Sequence, residues 1–159
     1  MRQLSDRVRE GKNFSAAQVG EWKGLLQYQI TKPVKAQGKL FIKEELNCTG
    51  MEVSFNVLPP RKEVPFHHKH QENEELYIFF KGTGQFQIDG EVIEIREGTV
   101  IRVAPDGVRT WRNHSKEDLF FIVIQAKEHS LPTSGIEDAI GVDQPVNWPS
   151  EENGTLNQF

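Results

Sequence analysis

His68 and His70, with Glu75 five positions on, are the residues of this chain whose types and spacing could do metal chemistry. On an extended strand, side chains two apart share a face, so the two imidazoles can converge on one ion while His67 and Lys69 point away. Two neutral imidazoles and a carboxylate suit a borderline divalent ion (Zn, Fe, Mn, Ni or Cu), and this donor set does not choose among them. The alternative is a buried polar network without metal, or an exposed strand end. His67, His114 and His129 read as surface histidines; His114 follows Asn113 in a turn.

The elements that must hold these groups read as short strands separated by turn residues. Glu75 opens a strand-like run over residues 76 to 81 that ends in Gly82-Thr83-Gly84. Before it, Met51, Val53, Phe55 and Val57 alternate with Glu52, Ser54 and Asn56 until Pro59-Pro60 stops the run, and the polar face can either line a cavity or meet water. After it, residues 84 to 88 join 91 to 95 through Asp89-Gly90, a pair that favours a type I′ hairpin because both central positions need positive φ. Further strands are expected over 99 to 104, 108 to 113 and 119 to 126. The pattern predicts an all-β sandwich or barrel and not βαβ units. Residues 76 to 80 and 119 to 124 are apolar on both faces, so the outer face needs a cover, either the N-terminal strands or a second subunit.

The flanks carry less signal. Ser15 can cap a short helical turn through Val19 and Trp22, followed by leading strands over 26 to 30 and 39 to 43. Beyond His129 the chain is rich in Pro, Gly and acids, with one short helix expected over 136 to 140; Trp148 and Phe159 suggest that the tail packs on the body of the protein.

The order His-x-His, four residues, Glu, six residues, Gly over positions 68 to 82 resembles the first motif of the cupin superfamily, small barrels that often hold one metal ion. The resemblance implies an all-β double-stranded β-helix, or jelly-roll barrel, with His68, His70 and Glu75 as ligands; Glu74 is the alternative, but only Glu75 keeps the spacing to Gly82. Pro60-Arg61-Lys62 stands where cupins usually carry Gly before the His-x-His. The second cupin motif supplies a fourth ligand, a His, and its counterpart here is residues 98 to 114. Counting from Gly107 puts Thr110 in the His position, and counting back from Asn113 puts Arg109 there. The resemblance spans roughly residues 50 to 126. It divides a single domain into an N-terminal extension over 1–49, a barrel core over 50–126 and a C-terminal tail over 127–159.

Arg109 decides the mechanism. A guanidinium donates no lone pair to a metal and stays cationic, so beside a divalent ion it is repelled unless an anion lies between them. Pointing inward, it either clamps the anionic end of a metal-bound ligand or pairs with Glu75 in the metal's stead; pointing outward, it is a surface charge. By strand parity Trp111 and Asn113 share its face, and a cation–π contact with Trp111 would hold it. Tyr77 and Phe79 share the parity of Glu75 and form the floor of the cavity. Arg109, Trp111, Tyr77, Phe79 and Asn113 are therefore the expected ligand-binding residues. No general acid or base stands out.

A chain of 159 residues with net charge −4 fits one domain and carries no basic patch for nucleic acid. The single cysteine, Cys48, forms no internal disulfide, and no apolar stretch suggests a signal peptide or a membrane span, so a cytoplasmic location is expected. Asn47-Cys48-Thr49 and Asn153-Gly154-Thr155 then match the glycosylation pattern by chance. A small-molecule ligand and a homodimer are the expected partners. Three functions compete: a metallo-enzyme acting on a small oxygenated compound, a metal-free binding protein for an anionic or sugar-like ligand centred on Arg109, and a barrel with a vestigial pocket.

Overall fold

A computed structural model describes residue 4, residues 7–32 and residues 34–149. The chain begins with a hairpin of β1 (Val8–Gly11) and β2 (Phe14–Ala17), followed by a 3-10 helix (Trp22–Gln27) and the short strands β3 (Gln29–Ile30), β4 (Ala36–Gln37) and β5 (Lys39–Phe41). One helical turn, α1 (Lys43–Leu46), leads into the barrel strands β6 (Glu52–Leu58), β7 (Asn73–Lys81), β8 (Gly84–Ile88), β9 (Glu91–Ile95), β10 (Val100–Val103), β11 (Arg109–Arg112) and β12 (Leu119–Lys127). The alternating and doubly apolar runs of the sequence become strands as expected. Asp89 and Gly90, at φ 48° and 88°, make the hairpin turn between β8 and β9.

A five-stranded antiparallel sheet, ordered β10-β7-β12-β6-β5, faces a three-stranded sheet ordered β11-β8-β9. Directly paired residues project to the same face, so the register defines the barrel interior. One row across the large sheet runs Phe41, Ser54, Val123, Tyr77, Ile101, and the next runs Lys39, Asn56, Phe121, Phe79. The small sheet answers with Phe86, Ile88, Ile95 and Trp111. Tyr77, Phe79, Phe86, Leu119, Phe121 and Val123 are buried in one core that both sheets share. The Glu52, Ser54 and Asn56 face, which the alternation left undecided, is thus the inner face, with Ser54 and Asn56 buried.

The outer face of β6 and β12 is covered by the N-terminal segment. Leu4, Leu25, Tyr28 and Leu40 pack with Ile42, Val57 and Phe120 in a second core, and Trp22 lies against Phe55 and Phe80 at 5.2 and 5.3 Å. This supplies from within one chain the cover that doubly apolar strands require. Three local expectations are corrected. Ser15 lies in a strand and not at a helix cap; residues 22 to 27 form a 3-10 helix whose buried residue is Leu25, leaving only Gln29–Ile30 of the expected leading strand. Residues 135 to 138 make turns and not a helix, because Gly135 sits at φ 61° and no apolar face is buried there to stabilise helical residues. The tail expected to pack on the barrel is exposed from 129 to 149, with Trp148 86% exposed. Phe159 and Asn153-Gly154-Thr155 lie outside the described residues.

Gly82 shows why the spacing after Glu75 matters. It sits at φ 93°, and a Cβ there would approach Asp118 O to 2.5 Å and Leu119 Cα to 2.9 Å. These are backbone atoms that cannot swing away. Gly82→Ala is therefore expected to lose roughly 2 kcal/mol or more, from left-handed strain plus the clash. Urea unfolding of the variant would measure it; a loss below a few tenths would show that β7 can end without this turn.

Candidate metal and anion site

The segment preceding β7 is held against β11 by backbone hydrogen bonds that fix both histidines. His68 N donates to Arg109 O at 3.1 Å, Arg109 N donates to His68 O at 3.0 Å, and His70 N donates to Pro105 O at 3.0 Å. This antiparallel bridge sets His68 directly opposite Arg109 and resolves the one-residue ambiguity of the second motif. Arg109 points inward and is 0% exposed, while Thr110 turns away and donates its hydroxyl to Val64 O at 2.9 Å.

Arg109 turns inward and pairs with Glu75. Arg109 donates from Nε at 3.1 Å and also from Nη2 to Glu75 Oε2, and its Nη1 donates to Gly107 O at 3.0 Å. Tyr77 donates its hydroxyl to the same Oε2 at 2.6 Å. The other carboxylate oxygen, Oε1, lies 3.2 Å from His70 Nε2. One oxygen of Glu75 is thus anchored by three donors, and the other is turned toward the imidazoles. Glu74, the alternative ligand, faces outward and pairs with Arg102 at 2.7 Å.

The electrostatics follow from this geometry. Burial pushes the Glu75 pKa up, but the hydrogen bonds from Tyr77 and Arg109 and the guanidinium charge outweigh it and hold the carboxyl below its usual range. Burial, then the Arg109 charge, lowers the His68 pKa to about 4, so this ring is neutral with a lone pair free at physiological pH. Burial and the adjacent Glu75 charge raise the Tyr77 phenol far above its usual range, so it remains a donor.

The residues fit a divalent ion. One ligand atom each from His68, His70 and Glu75 lie within 4.8 Å of one another. His68 Nδ1 is buried without a hydrogen-bond partner, as is Trp111 Nε1, and the two rings meet edge-on at 5.8 Å. Buried polar atoms left unpaired at the same place are the sign of a site built for something more than core packing. Arg109 stands behind Glu75 in the position of a fourth ligand, and the carboxylate between it and the imidazoles offsets its repulsion of an ion.

The other expected site residues are placed as follows. Tyr77 and Phe79 form the floor, 1% and 0% exposed. Trp111 is inward, but it packs on Phe86, Tyr77 and His68 and makes no cation–π contact with Arg109, which Glu75 holds instead. Asn113 is buried, yet its carboxamide is spent on the loop before β12: it donates to Leu58 O and Glu117 O and accepts from Ser115. That satisfied bonding leaves Asn113 a structural pin, not a ligand contact. His67, His114 and His129 are exposed as expected.

Lys39, which the sequence did not single out, also points into the barrel. Its Nζ donates to Ser54 Oγ at 3.2 Å and Asn56 Oδ1 at 3.0 Å and sits 4.7 Å from the Phe41 ring centre. An open, largely acidic cleft of about 490 Å³ lies nearby, lined by Phe41, Glu44, Glu45, Glu52, Asn73 and Gln125 and not by Lys39 itself. Alternation around β5 separates Lys39 and Phe41 from Leu40 and Ile42, but local periodicity does not say which pair faces the barrel interior.

Comparison with known proteins agrees with this architecture. The family model for the cupin domain matches residues 54–125. A cupin protein from Bacteroides fragilis is 33% identical, with a TM-score of 0.70 over 83% of this chain and 99% of its own. A protein from Thermotoga maritima described as a predicted oxalate decarboxylase is 25% identical, with a TM-score of 0.50 over 58% of this chain and 79% of its own. A Klebsiella pneumoniae protein with a double-stranded β-helix domain shares the fold at 15% identity, with a TM-score of 0.54 over 72% of this chain and 94% of its own. No curated protein sequence matches the chain. With two facing antiparallel sheets, the His-x-His and Glu brought together between them, and a relative one-third identical over 83% of the chain, this chain belongs to the cupin superfamily.

Proposed function

We propose that this cupin holds a divalent metal ion on His68, His70 and Glu75 and binds or transforms a small oxygenated anion beside it. The observation that carries the reading is the convergence of the three ligand atoms, with Glu75 already ionised and aimed and His68 Nδ1 unpaired. When bound, such an ion supplies Lewis acidity toward an oxygen of the ligand. Arg109 and Tyr77 keep Glu75 charged and fixed in orientation. Phe79, Phe86, Phe121 and Val123 close the floor and exclude water, which strengthens polar interactions above them. A small carboxylate is the ligand class to try first, supported by the interior cations and by the likeness to the Thermotoga maritima protein described as an oxalate decarboxylase.

A second reading has its own support: the Arg109 to Glu75 pairing satisfies the carboxylate without metal and leaves a binding chamber that needs none. Plasma mass spectrometry on tag-free protein separates the two. We expect about one metal per chain, lost in His70→Ala. Metal far below stoichiometry, unchanged by the substitution and not restored by Zn, Mn or Fe, would sink the metal reading in favour of the second. A homodimer belongs to the same proposal. It is supported by the exposed apolar side chains of the tail, Leu131, Ile136, Ile140 and Trp148, and sedimentation equilibrium reads it directly. Among the described residues, no helix is long and apolar enough to cross a membrane.

A further inference from the structure

We infer that Lys39 and Ser54 form the anion hook of this chamber, receiving the carboxylate of a small organic acid on two donors that the fold leaves without acceptors. The inference deepens the small-anion reading above and rests on it, though not on the metal.

Register places the hook. Lys39 pairs with Asn56, and Asn56 with Phe121, so the lysine shares the inner face with Phe79 and not the outer face of Leu40 and Val57. Its ammonium has three N–H donors; Ser54 Oγ and Asn56 Oδ1 take two. Among the described residues no carboxylate lies within 4.0 Å of it. The Ser54 hydroxyl is similarly incomplete. It accepts from Lys39 and from Asn56 Nδ2 at 3.0 Å, and both are pure donors, so its own O–H finds no acceptor there. Asn56 Nδ2 donates again to Ser54 O at 2.9 Å, which fixes its carbonyl oxygen toward the lysine.

An ammonium held by two neutral oxygens and the face of Phe41, with no carboxylate in contact, is short of a counter-charge. Burial lowers the Lys39 pKa to about 8, although the charges of Glu75 on β7 and Glu52 on β6 act to raise it. Glu52 is itself turned to the backbone N–H groups of Ile42 and Lys43, and Arg109 is matched by Glu75. Among the described residues, Lys39 is therefore an interior cation with no carboxylate in contact, and its complement is an anion. A carboxylate has two oxygens to take the third ammonium hydrogen and the serine hydroxyl together.

Calorimetric titration with sodium oxalate and, separately, inorganic phosphate tests this on the full chain, wild type and Lys39→Met, from pH 7 to 9. Circular dichroism confirms that the variant is folded. We expect wild type to bind oxalate at pH 7 and to weaken as pH passes about 8, where the amine loses its proton. Lys39→Met should bind about 10- to 100-fold more weakly at pH 7 and show no such decline. A merely structural lysine would not produce that pH profile. Equal affinity in the two proteins would overturn the role of Lys39 while leaving the small-anion reading intact. Failure of wild type to bind either anion would overturn that reading and the hook with it.

Discussion

Replacing Arg109 by Met is expected to lower the unfolding free energy by roughly 3–5 kcal/mol, and adding Glu75→Gln to restore a large part of that loss. Arg109 and Glu75 are 0% and 6% exposed, and two of the three side-chain hydrogen bonds of Arg109 go to Glu75. Removing the guanidinium leaves a carboxylate in the barrel whose remaining direct polar contacts are Tyr77 and His70, and an unpaired buried charge is far more costly than a buried pair is stabilising. Glutamine removes the charge and keeps the shape, so the double variant escapes the largest part of the penalty. The measurement is a double-mutant cycle by urea unfolding at pH 7 in metal-free protein. Additive losses would show that the two groups do not share a bond, and Arg109 would then have to be reassigned to the ligand.

That pair also marks the boundary of what the sequence can say. The His68, His70 and Glu75 cluster was legible because its geometry is local: a period of two in the segment leading into β7, and a fixed distance from Glu75 to Gly82, where only glycine clears the backbone of Asp118 and Leu119. The direction of Arg109 was not, because it depends on a long-range backbone bridge to His68 that no local periodicity encodes. The barrel strands followed from alternation and turn residues; Asp89-Gly90 alone fixed one hairpin. The N-terminal hairpin escaped notice because Phe14, Ser15, Ala16 and Ala17 alternate weakly and β1 is mostly exposed. The same non-locality hid Lys39. Two lysines flanking a short apolar run look like solvent-facing ends, and only pairing with Asn56 turns the first of them inward. Asn113 is the converse case. Parity put it on the face of Arg109 correctly, but parity does not reveal that Leu58, Ser115 and Glu117 already use every polar atom it has.

An unmatched interior lysine should also be visible in the pH dependence of stability. A pKa lowered from 10.5 to about 8 means that, between those values, the unfolded chain holds a proton that the folded chain has released. Stability from this group is therefore fully present above pH 10.5, falls as pH drops through 8, and is absent at neutral pH, where folding must bury the ammonium. The shift corresponds to about 3 kcal/mol. Other lysines titrate in the same range, so the informative quantity is the difference between wild type and Lys39→Met, measured by urea unfolding at pH 7, 9 and 10.5. Wild type should gain about 3 kcal/mol on the variant across that range. A difference that stays flat would mean that the Lys39 amine is solvated, with its ordinary affinity for protons. A rising difference would show instead that the protein carries, at neutral pH, a buried positive charge that weakens its own fold, the arrangement expected of a group kept for an anionic ligand and not for packing.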